Sequence, residues 1–192
     1  MSAPLPPVTL APVTLILGGA RSGKSRHGEA LVESQPGPCV YLATAEAGDA
    51  EMAARIAAHR ARRGDRWTTV EVPLELVGAL ERETGPDHAV LVDCLTLWLS
   101  NLMGAGRDVA RACKGLIAAL PGLSGPIVFV SNEVGQGIVP DNAAARAFVD
   151  RAGRLHQDLA AAADRVIFMT AGLPAGLKTP AAEPRVLKLH GS

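Results

Sequence analysis

Eight residues, 18–25, combine glycines, a lysine and a serine in a spacing that can bind phosphate. They read Gly-Gly-Ala-Arg-Ser-Gly-Lys-Ser and fit the P-loop pattern G-x-x-x-x-G-K-[ST]. An apolar run at 13–17 precedes them and a helical pattern at 25–33 follows, which is the context that the motif requires. Glycines let successive N–H groups face phosphate oxygens, and Lys24 can reach the β- and γ-phosphates. This context argues against the alternative, a glycine-rich turn that matches by chance.

Two oxygen-bearing side chains are candidates for holding a divalent cation. Ser25 ends the P-loop, where its hydroxyl can bind Mg²⁺. Asp93 closes the apolar run 89–93 in the manner of a Walker B acid, and its carboxylate can hold the metal directly or through water. The alternative is an ordinary acid that caps the next turn. With the P-loop present, the sequence predicts a Mg²⁺ (or Mn²⁺) site at Ser25 and Asp93.

A basic segment at residues 51–63 contains a candidate nucleophile. On a helix, Arg55, His59, Arg62 and Arg63 fall three or four residues apart and share a face. Positive charge around His59 favours its neutral, nucleophilic form and attracts a triphosphate. On spacing alone, a solvated basic face with an exposed histidine is the stronger interpretation. The other histidines are weaker candidates: His27 follows the P-loop in a packed helix, and His88, His156 and His190 lack so basic a neighbourhood.

A shaped loop is predicted at residues 132–140, which read Asn-Glu-Val-Gly-Gln-Gly-Ile-Val-Pro. Two glycines and a proline directly after an apolar strand restrict the backbone to a few conformations. Such a loop at a binding edge usually contacts a ligand. A purely structural crossover is an equally good interpretation of these residues alone.

Short apolar runs alternate with helical segments along the chain. The segments predicted to be strands are 13–17, 39–43, 67–72, 89–93, 127–130 and 165–169. The segments predicted to be helices are 25–33, 49–63, 74–83, 95–103, 109–120 and 142–163. This alternation predicts an α/β fold with a mostly parallel sheet and helices on both faces. Ligands of such sheets bind beyond the carboxyl ends of the strands, so Lys24, Thr44, Asp93 and residues 132–133 are expected to share one edge.

We expect one nucleotide-binding domain over residues 1–192. Residues 1–11 are expected to form a loose, proline-rich tail, and residues 179–192 an extension without an assigned role. Within that extension, residues 186–189 are a candidate for a short edge strand.

Composition excludes several classes of partner. Lysine plus arginine numbers 19, as does aspartate plus glutamate, so no overall charge indicates nucleic acid or an anionic membrane. Cys39, Cys94 and Cys113 lie mostly in apolar strings, which is typical of reduced core residues in a cytoplasmic protein. No apolar run reaches about 18 residues, so no membrane span is expected.

Taken together and in this order, the motifs resemble the bifunctional adenosylcobinamide kinase/adenosylcobinamide-phosphate guanylyltransferase family of cobalamin biosynthesis. The resemblance rests on residues 18–26, residues 51–56 with His59, and residues 132–140, and it extends from about residue 13 to 178. It implies a RecA-like P-loop fold, a homotrimer, and two activities at one nucleotide site. First, ATP or GTP phosphorylates the aminopropanol hydroxyl of adenosylcobinamide. Then GTP guanylylates a histidine, and the cobinamide phosphate takes up the GMP to give adenosylcobinamide-GDP.

The resemblance also implies roles for individual residues. His59 matches the guanylylated histidine, which replaces the solvated-face interpretation, and Lys24 is the second catalytic residue. The positions implied to hold nucleotide are Gly18, Gly19, Ala20, Arg21, Ser22, Gly23, Lys24, Ser25, Ala43, Thr44, Ala45, Arg60, Ala61, Arg62, Arg63, Glu71 and Asp93. The chain departs from the family beyond residue 178, and residues 102–121 form a shorter segment than the family pattern.

Two other functions compatible with the P-loop stay open at this point. A different small-molecule kinase would use Lys24, Ser25 and Asp93 without a nucleophilic histidine. A nucleotide-dependent switch would use hydrolysis to change a loop. Covalent retention of label from α-labelled GTP would separate the first reading from both.

Overall fold

The computed structural model describes residues 10–46 and 63–180. Within these ranges the strands are β1 (Val13–Gly18), β2 (Cys39–Ala43), β3 (Trp67–Glu71), β4 (Ala89–Asp93), β5 (Ile127–Val130), β6 (Arg165–Thr170) and β7 (Leu173–Lys178). The α-helices are α1 (Lys24–Glu33), α2 (Leu76–Glu83), α3 (Leu95–Gly104), α4 (Val109–Ala119) and α5 (Ala143–Ala162). A short 3₁₀ turn, Leu120–Gly122, follows α4.

The seven strands form one sheet in the order β3-β2-β4-β5-β1-β6-β7. All neighbours are parallel except β6 and β7, which are antiparallel. The six strands from β3 to β6 in this order are parallel, so their carboxyl ends meet at one edge of the sheet. The P-loop follows β1 at this carboxyl edge.

Alternating side chains of the central strands enter two apolar clusters, one on each face of the sheet. Leu15 and Leu17 of β1 pack with the buried leucines of α2, α3, α4 and α5. Ile16 points to the opposite face and packs with Val32 of α1. Such two-sided burial explains why these strands read as continuous apolar runs rather than alternating ones. The predicted α/β class, with helices on both faces, is confirmed.

Within the described residues, the predicted elements of the sheet and helices are found with boundaries shifted by at most two residues. Asn142 caps α5 as expected, its Oδ1 accepting a hydrogen bond from the backbone N–H of Ala145 at 2.7 Å. The predicted helix at 49–63 lies almost entirely outside the described residues, as does the candidate strand at 186–189. Cys39 and Cys94 are buried free thiols, and Cys113 is a half-buried one.

The strand β7 was not predicted. Its six residues, Leu-Pro-Ala-Gly-Leu-Lys, are all exposed, so they carry neither an apolar run nor a regular alternation. Pro174 and Gly176 are ordinarily evidence against a strand, but an edge strand tolerates proline. The turn before it has Ala171 at φ 51° and Gly172 at φ 81°, positive values that suit a tight hairpin.

The expected tail at residues 1–11 includes two residues that the structure describes, and both are packed. Leu10 is 5% exposed and Ala11 is 8% exposed. The backbone N–H of Leu10 also donates to Gln35 Oε1 at 3.4 Å. The packed part of the chain therefore includes residues 10 and 11, which the predicted boundary had excluded.

Candidate nucleotide site

The P-loop backbone adopts conformations that require its glycines. Gly18 has φ 150°, and a Cβ added there would lie 2.4 Å from the carbonyl oxygen of Met169. Gly23, the N-cap of α1, has φ 96°. Arg21 also has a positive φ, 56°, and its side chain is exposed. These turns bring the chain from β1 into α1 over a few residues and leave the helix N-terminus facing the loop, where its dipole favours anions.

Lys24 places a buried charge inside this loop. Its side chain is 6% exposed, and Nζ donates to the carbonyl oxygen of Gly19 at 2.6 Å. Ser22 Oγ lies 3.5 Å from the same ammonium. Burial lowers the pKa of Lys24, and the acidic groups of Cys94 and Asp93 oppose that shift. A buried ammonium next to a turn of backbone amides is suited to holding phosphate charge.

Two neighbouring loops fix the P-loop from either side. The backbone N–H of Glu133, after β5, donates to the Gly18 carbonyl at 2.9 Å. The N–H of Gly172, in the β6–β7 turn, donates to the Ser22 carbonyl at 3.0 Å. The loop is thus held in shape by segments more than 100 residues further along the chain.

Asp93, at the carboxyl end of β4, is oriented by an aromatic neighbour. Tyr41 donates its hydroxyl hydrogen to Asp93 Oδ2 at 3.1 Å. Burial, together with the Asp93 charge, raises the pKa of Tyr41, so the hydroxyl keeps its proton and remains a donor. The guanidinium carbon of Arg63 lies 3.6 Å from the centroid of the Tyr41 ring, a cation–π contact. One carboxylate oxygen of Asp93 is therefore committed to Tyr41.

A hydrogen-bonded group behind Asp93 fixes the chain between β4 and α3. The Thr44 hydroxyl donates to the Cys94 carbonyl and accepts from the Cys94 N–H, both at 2.7 Å. Asn101 Nδ2 donates to the Thr44 carbonyl at 2.8 Å. The peptide bond between Asp93 and Cys94 is cis. Thr44, expected to hold nucleotide, directs its buried hydroxyl at this backbone rather than at the edge.

Glu133 ties the 132–140 loop to α5. Its Oε1 accepts from the N–H of Gly135 at 2.6 Å, and its Oε2 lies 3.9 Å from His156 Nδ1. His156 Nε2 in turn lies 2.7 Å from Ser131 Oγ. Burial lowers the pKa of His156 and the Glu133 charge opposes the shift, so a neutral imidazole sits in this contact.

Most of the expected site residues meet at the carboxyl edge. Arg63 reaches this region through Tyr41, and Glu71 ends β3 opposite Ala43 in register. The expected residues that end a strand or come directly after one at this edge are Gly18, Gly19, Ala20, Arg21, Ser22, Gly23, Lys24, Ser25, Ala43, Thr44, Ala45 and Asp93. Those that lie outside the described residues are His59, Arg60, Ala61 and Arg62.

Tyr41 and His156 were missed by sequence reasoning. Tyr41 read as one apolar residue of β2, although a lone tyrosine in a buried strand signals that its hydroxyl has a partner. His156 was set aside for want of basic neighbours. Its signal was different: it lies on the α5 face that also carries the buried Ala152, Leu155 and Leu159. A histidine at such a position needs hydrogen-bond partners.

The donor chemistry at this edge fits Mg²⁺. Ser25 supplies a hydroxyl and Asp93 a carboxylate oxygen, the hard ligands that Mg²⁺ takes together with water and substrate phosphates. In the described ranges no group of three or more His, Cys, Asp or Glu side chains is placed to hold a metal ion. Of the helices described, none is long and apolar enough to cross a membrane.

A parallel sheet with a lysine-bearing glycine loop at its carboxyl edge defines a P-loop nucleotide-binding protein. Solved structures with low sequence identity share this fold. One is an ATPase from the type III secretion system of pathogenic bacteria, with TM-score 0.56 and 11% identity, covering 87% of this chain and 57% of that one. Another, PH0250 from Pyrococcus horikoshii OT3, has TM-score 0.55 and 9% identity, covering 92% and 90%.

The chain belongs to the cobinamide kinase / cobinamide phosphate guanyltransferase family, whose model matches residues 14–177. It is 49% identical over 166 residues to the bifunctional adenosylcobalamin biosynthesis protein CobP of Pseudomonas aeruginosa, covering 85% of this chain and 96% of that protein. It is 41% identical over 179 residues to the bifunctional adenosylcobalamin biosynthesis protein CobU of Salmonella typhimurium, covering 85% and 98%. The family indicated by the sequence motifs is thereby confirmed.

Proposed function

We propose that this protein carries out two successive reactions of cobalamin biosynthesis at its P-loop. In the first, ATP or GTP phosphorylates the aminopropanol hydroxyl of adenosylcobinamide. In the second, GMP passes from GTP to the resulting phosphate and gives adenosylcobinamide-GDP. The observation that carries the proposal is the family match over residues 14–177. That range includes the P-loop, whose buried Lys24 is placed to bind phosphate.

Phosphoryl transfer needs position and charge rather than a protein nucleophile. The substrate hydroxyl oxygen forms a bond to the γ-phosphorus while the bond from that phosphorus to the β–γ bridging oxygen breaks. The nucleoside diphosphate leaves, and the hydroxyl proton passes to solvent. Lys24 and the amides of the P-loop would hold the phosphates in line and offset the negative charge on them. Mg²⁺, held by Ser25 and Asp93, would supply further positive charge at the phosphate oxygens.

For guanylyl transfer we propose His59 as the nucleophile. A ring nitrogen of neutral His59 would form a P–N bond to the α-phosphorus as pyrophosphate leaves. A phosphate oxygen of the cobinamide phosphate would then replace that nitrogen and release the histidine. Support comes from the sequence motif at 51–63 and from Arg63, the last residue of that motif, whose guanidinium stacks on the tyrosine that orients Asp93. The remaining nucleotide contacts would come from Arg60, Ala61, Arg62, Arg63 and Glu71.

The test is covalent labelling with α-labelled GTP and Mg²⁺. We expect label on the parent protein that is lost in acid and survives alkali, as a phosphoramidate does. His59→Ala should lose both the label and guanylyl transfer while keeping measurable kinase activity, because the kinase step uses no protein nucleophile.

The control for this labelling is His88→Ala, since His88 precedes β4 at the amino edge of the sheet, away from the P-loop. It should label as the parent does. If His59→Ala also labels as the parent does, the assignment is wrong and His27 is the next residue to substitute. A parent protein that phosphorylates cobinamide but takes up no label would indicate a kinase without a covalent step.

A further inference from the structure

The tip of the 132–140 loop exposes two large apolar side chains. Ile138 is 97% exposed and Val139 is 75% exposed. Among the described residues only two other large apolar side chains are exposed, Leu173 and Leu177 of β7. The chain around the tip is not a loose end, because both sides of the loop are held in place. The apolar tip is therefore presented to solvent by a defined backbone.

One side of the loop is held by a contact within its own first residues, and the other side is held by a residue of α5. On one side, Glu133 Oε1 accepts the Gly135 N–H at 2.6 Å. On the other, Arg146 Nη1 donates to the carbonyl oxygens of Pro140 and Asp141 at 2.9 Å and 2.7 Å. Arg146 is on α5, so the helix braces the loop from below.

A cavity of about 150 Å³ lies between the loop and α5. Val134, Ile138 and Val149 line it with apolar groups, and Arg146 and Asp150 add one charge of each sign. Apolar side chains thus alternate with charged and backbone polar groups in this lining, a mixture that suits an organic ligand better than a phosphate or a metal ion.

The loop is also close to the phosphate site. Glu133, at its start, donates its N–H to Gly18, the first residue of the P-loop. Ile138 comes five positions after Glu133, so their Cα atoms are at most about 18 Å apart. A substrate that rests on the tip and reaches the γ-phosphate with a side arm would have to be large.

We infer that the Ile138–Val139 tip and the cavity beneath it bind the ring of the corrinoid substrate, a large, mostly apolar macrocycle edged with amides. This inference rests on the proposed function. The nucleotide itself gives no reason for exposed isoleucine and valine, whereas the edge of a macrocycle would cover them. Arg146 and Asp150 supply one donor group and one acceptor group for the peripheral amides.

The test is the double substitution Ile138→Ser with Val139→Ser. We expect the KM for adenosylcobinamide in the kinase reaction to rise at least about tenfold. This is the loss of affinity expected when one aliphatic side chain no longer contacts the substrate. Equilibrium dialysis of cobinamide should show the same loss of affinity. The KM for the nucleoside triphosphate and the covalent labelling by GTP should remain as in the parent, because neither requires the corrinoid.

Leu177→Ser is the matched control: it removes an apolar side chain of 65% exposure at the opposite end of β7 from the P-loop and should leave the corrinoid KM unchanged. Val139→Thr, nearly the same shape, should give an intermediate effect. An unchanged corrinoid KM in the double variant would overturn the inference while the parent's two activities uphold the proposed function. A change of oligomeric mass in the double variant would also overturn it, by assigning the tip to a contact between copies.

Discussion

Lys24 would serve two phosphate groups in turn, the γ-phosphate in one reaction and the α–β linkage in the other. Its ammonium is buried and donates to the Gly19 carbonyl at 2.6 Å, so a neighbouring side chain has little room to take its place. Because one P-loop would support both reactions, both are expected to depend on Lys24.

Lys24→Ala should reduce both activities by about three orders of magnitude, because it removes a buried positive charge from the loop that holds the phosphates. Steady-state rates of cobinamide phosphorylation and of guanylyl transfer would be measured side by side. Lys114→Ala, which removes an exposed lysine on α4, should change neither rate. Near-normal guanylyl transfer in Lys24→Ala would mean that the second reaction uses a different nucleotide site.

Asp93 and Tyr41 form a contact between residues 52 positions apart in the chain. The sequence indicated the acid because it closes an apolar strand, a local pattern. The tyrosine partner depends on the pairing of β2 with β4, where Ala43 lies opposite Asp93. Contacts of that kind have no local signature, so the orientation of the carboxylate was beyond sequence reasoning.

Asp93→Asn should raise the Mg²⁺ concentration for half-maximal rate by about tenfold or more while nucleotide binding changes little. The amide keeps an oxygen for Tyr41 but loses the charge that a cation prefers, and the P-loop amides with Lys24 still hold phosphate. Mg²⁺ titrations of the rate, with nucleotide affinity measured separately, would decide. Asp87→Asn, before β4, is the matched control. If metal dependence is unchanged in Asp93→Asn, the acid only caps its turn.

At the scale of elements, what could be predicted was set by burial. Residues 13–17 and 127–130 pass through the middle of the sheet, and their uninterrupted apolar sequence identified them. All six residues of β7 are exposed, and the strand pairs its backbone with β6, so its sequence carried no comparable pattern. The same reasoning applies to the 132–140 loop. Its glycines showed that it is shaped, but the contact of Glu133 with His156 joins residues 23 positions apart and has no local signature.

The docking of α5 on the loop after β5 should depend on pH through His156. Burial holds the folded-state pKa of His156 below its ordinary 6.5. The unfolded chain therefore binds more protons than the folded one as pH falls below 6.5, and this contribution to stability is present above 6.5 and lost below it. His156→Gln should lose less stability than the parent between pH 7 and pH 5 in urea unfolding experiments.

His88→Gln serves as the control for this comparison, because it makes the same substitution at a histidine on the other edge of the sheet. Its stability should follow the parent's pH profile more closely than that of His156→Gln. Equal loss of stability in His156→Gln and the parent would show that His156 is not held neutral in the folded protein.

At the scale of the whole molecule, the family resemblance implies a homotrimer. The sheet ends in β7, whose outer edge has no strand partner among the described residues. An open edge of this kind is normally covered, charged or paired with another chain. Light scattering coupled to size-exclusion chromatography should therefore give three times the 19.8 kDa mass of the chain. A mass equal to one chain at micromolar concentration would contradict the trimer.

The position of β1 between β5 and β6 has a consequence for the order in which a newly made chain acquires its binding loop. Val13 pairs with Ile127 and Thr14 with Arg165, so β1 gains its two neighbours only after more than 100 further residues have been made. At about 5–20 residues per second, more than 100 residues take roughly 5 to 20 s. During that interval the phosphate-binding motif is complete in sequence but lacks the strands that hold it, and the Gly172 N–H that fixes Ser22 is later still. We therefore expect the P-loop to reach its final shape only after the β6–β7 hairpin has been synthesised, which nucleotide binding by ribosome-bound chains of increasing length would test.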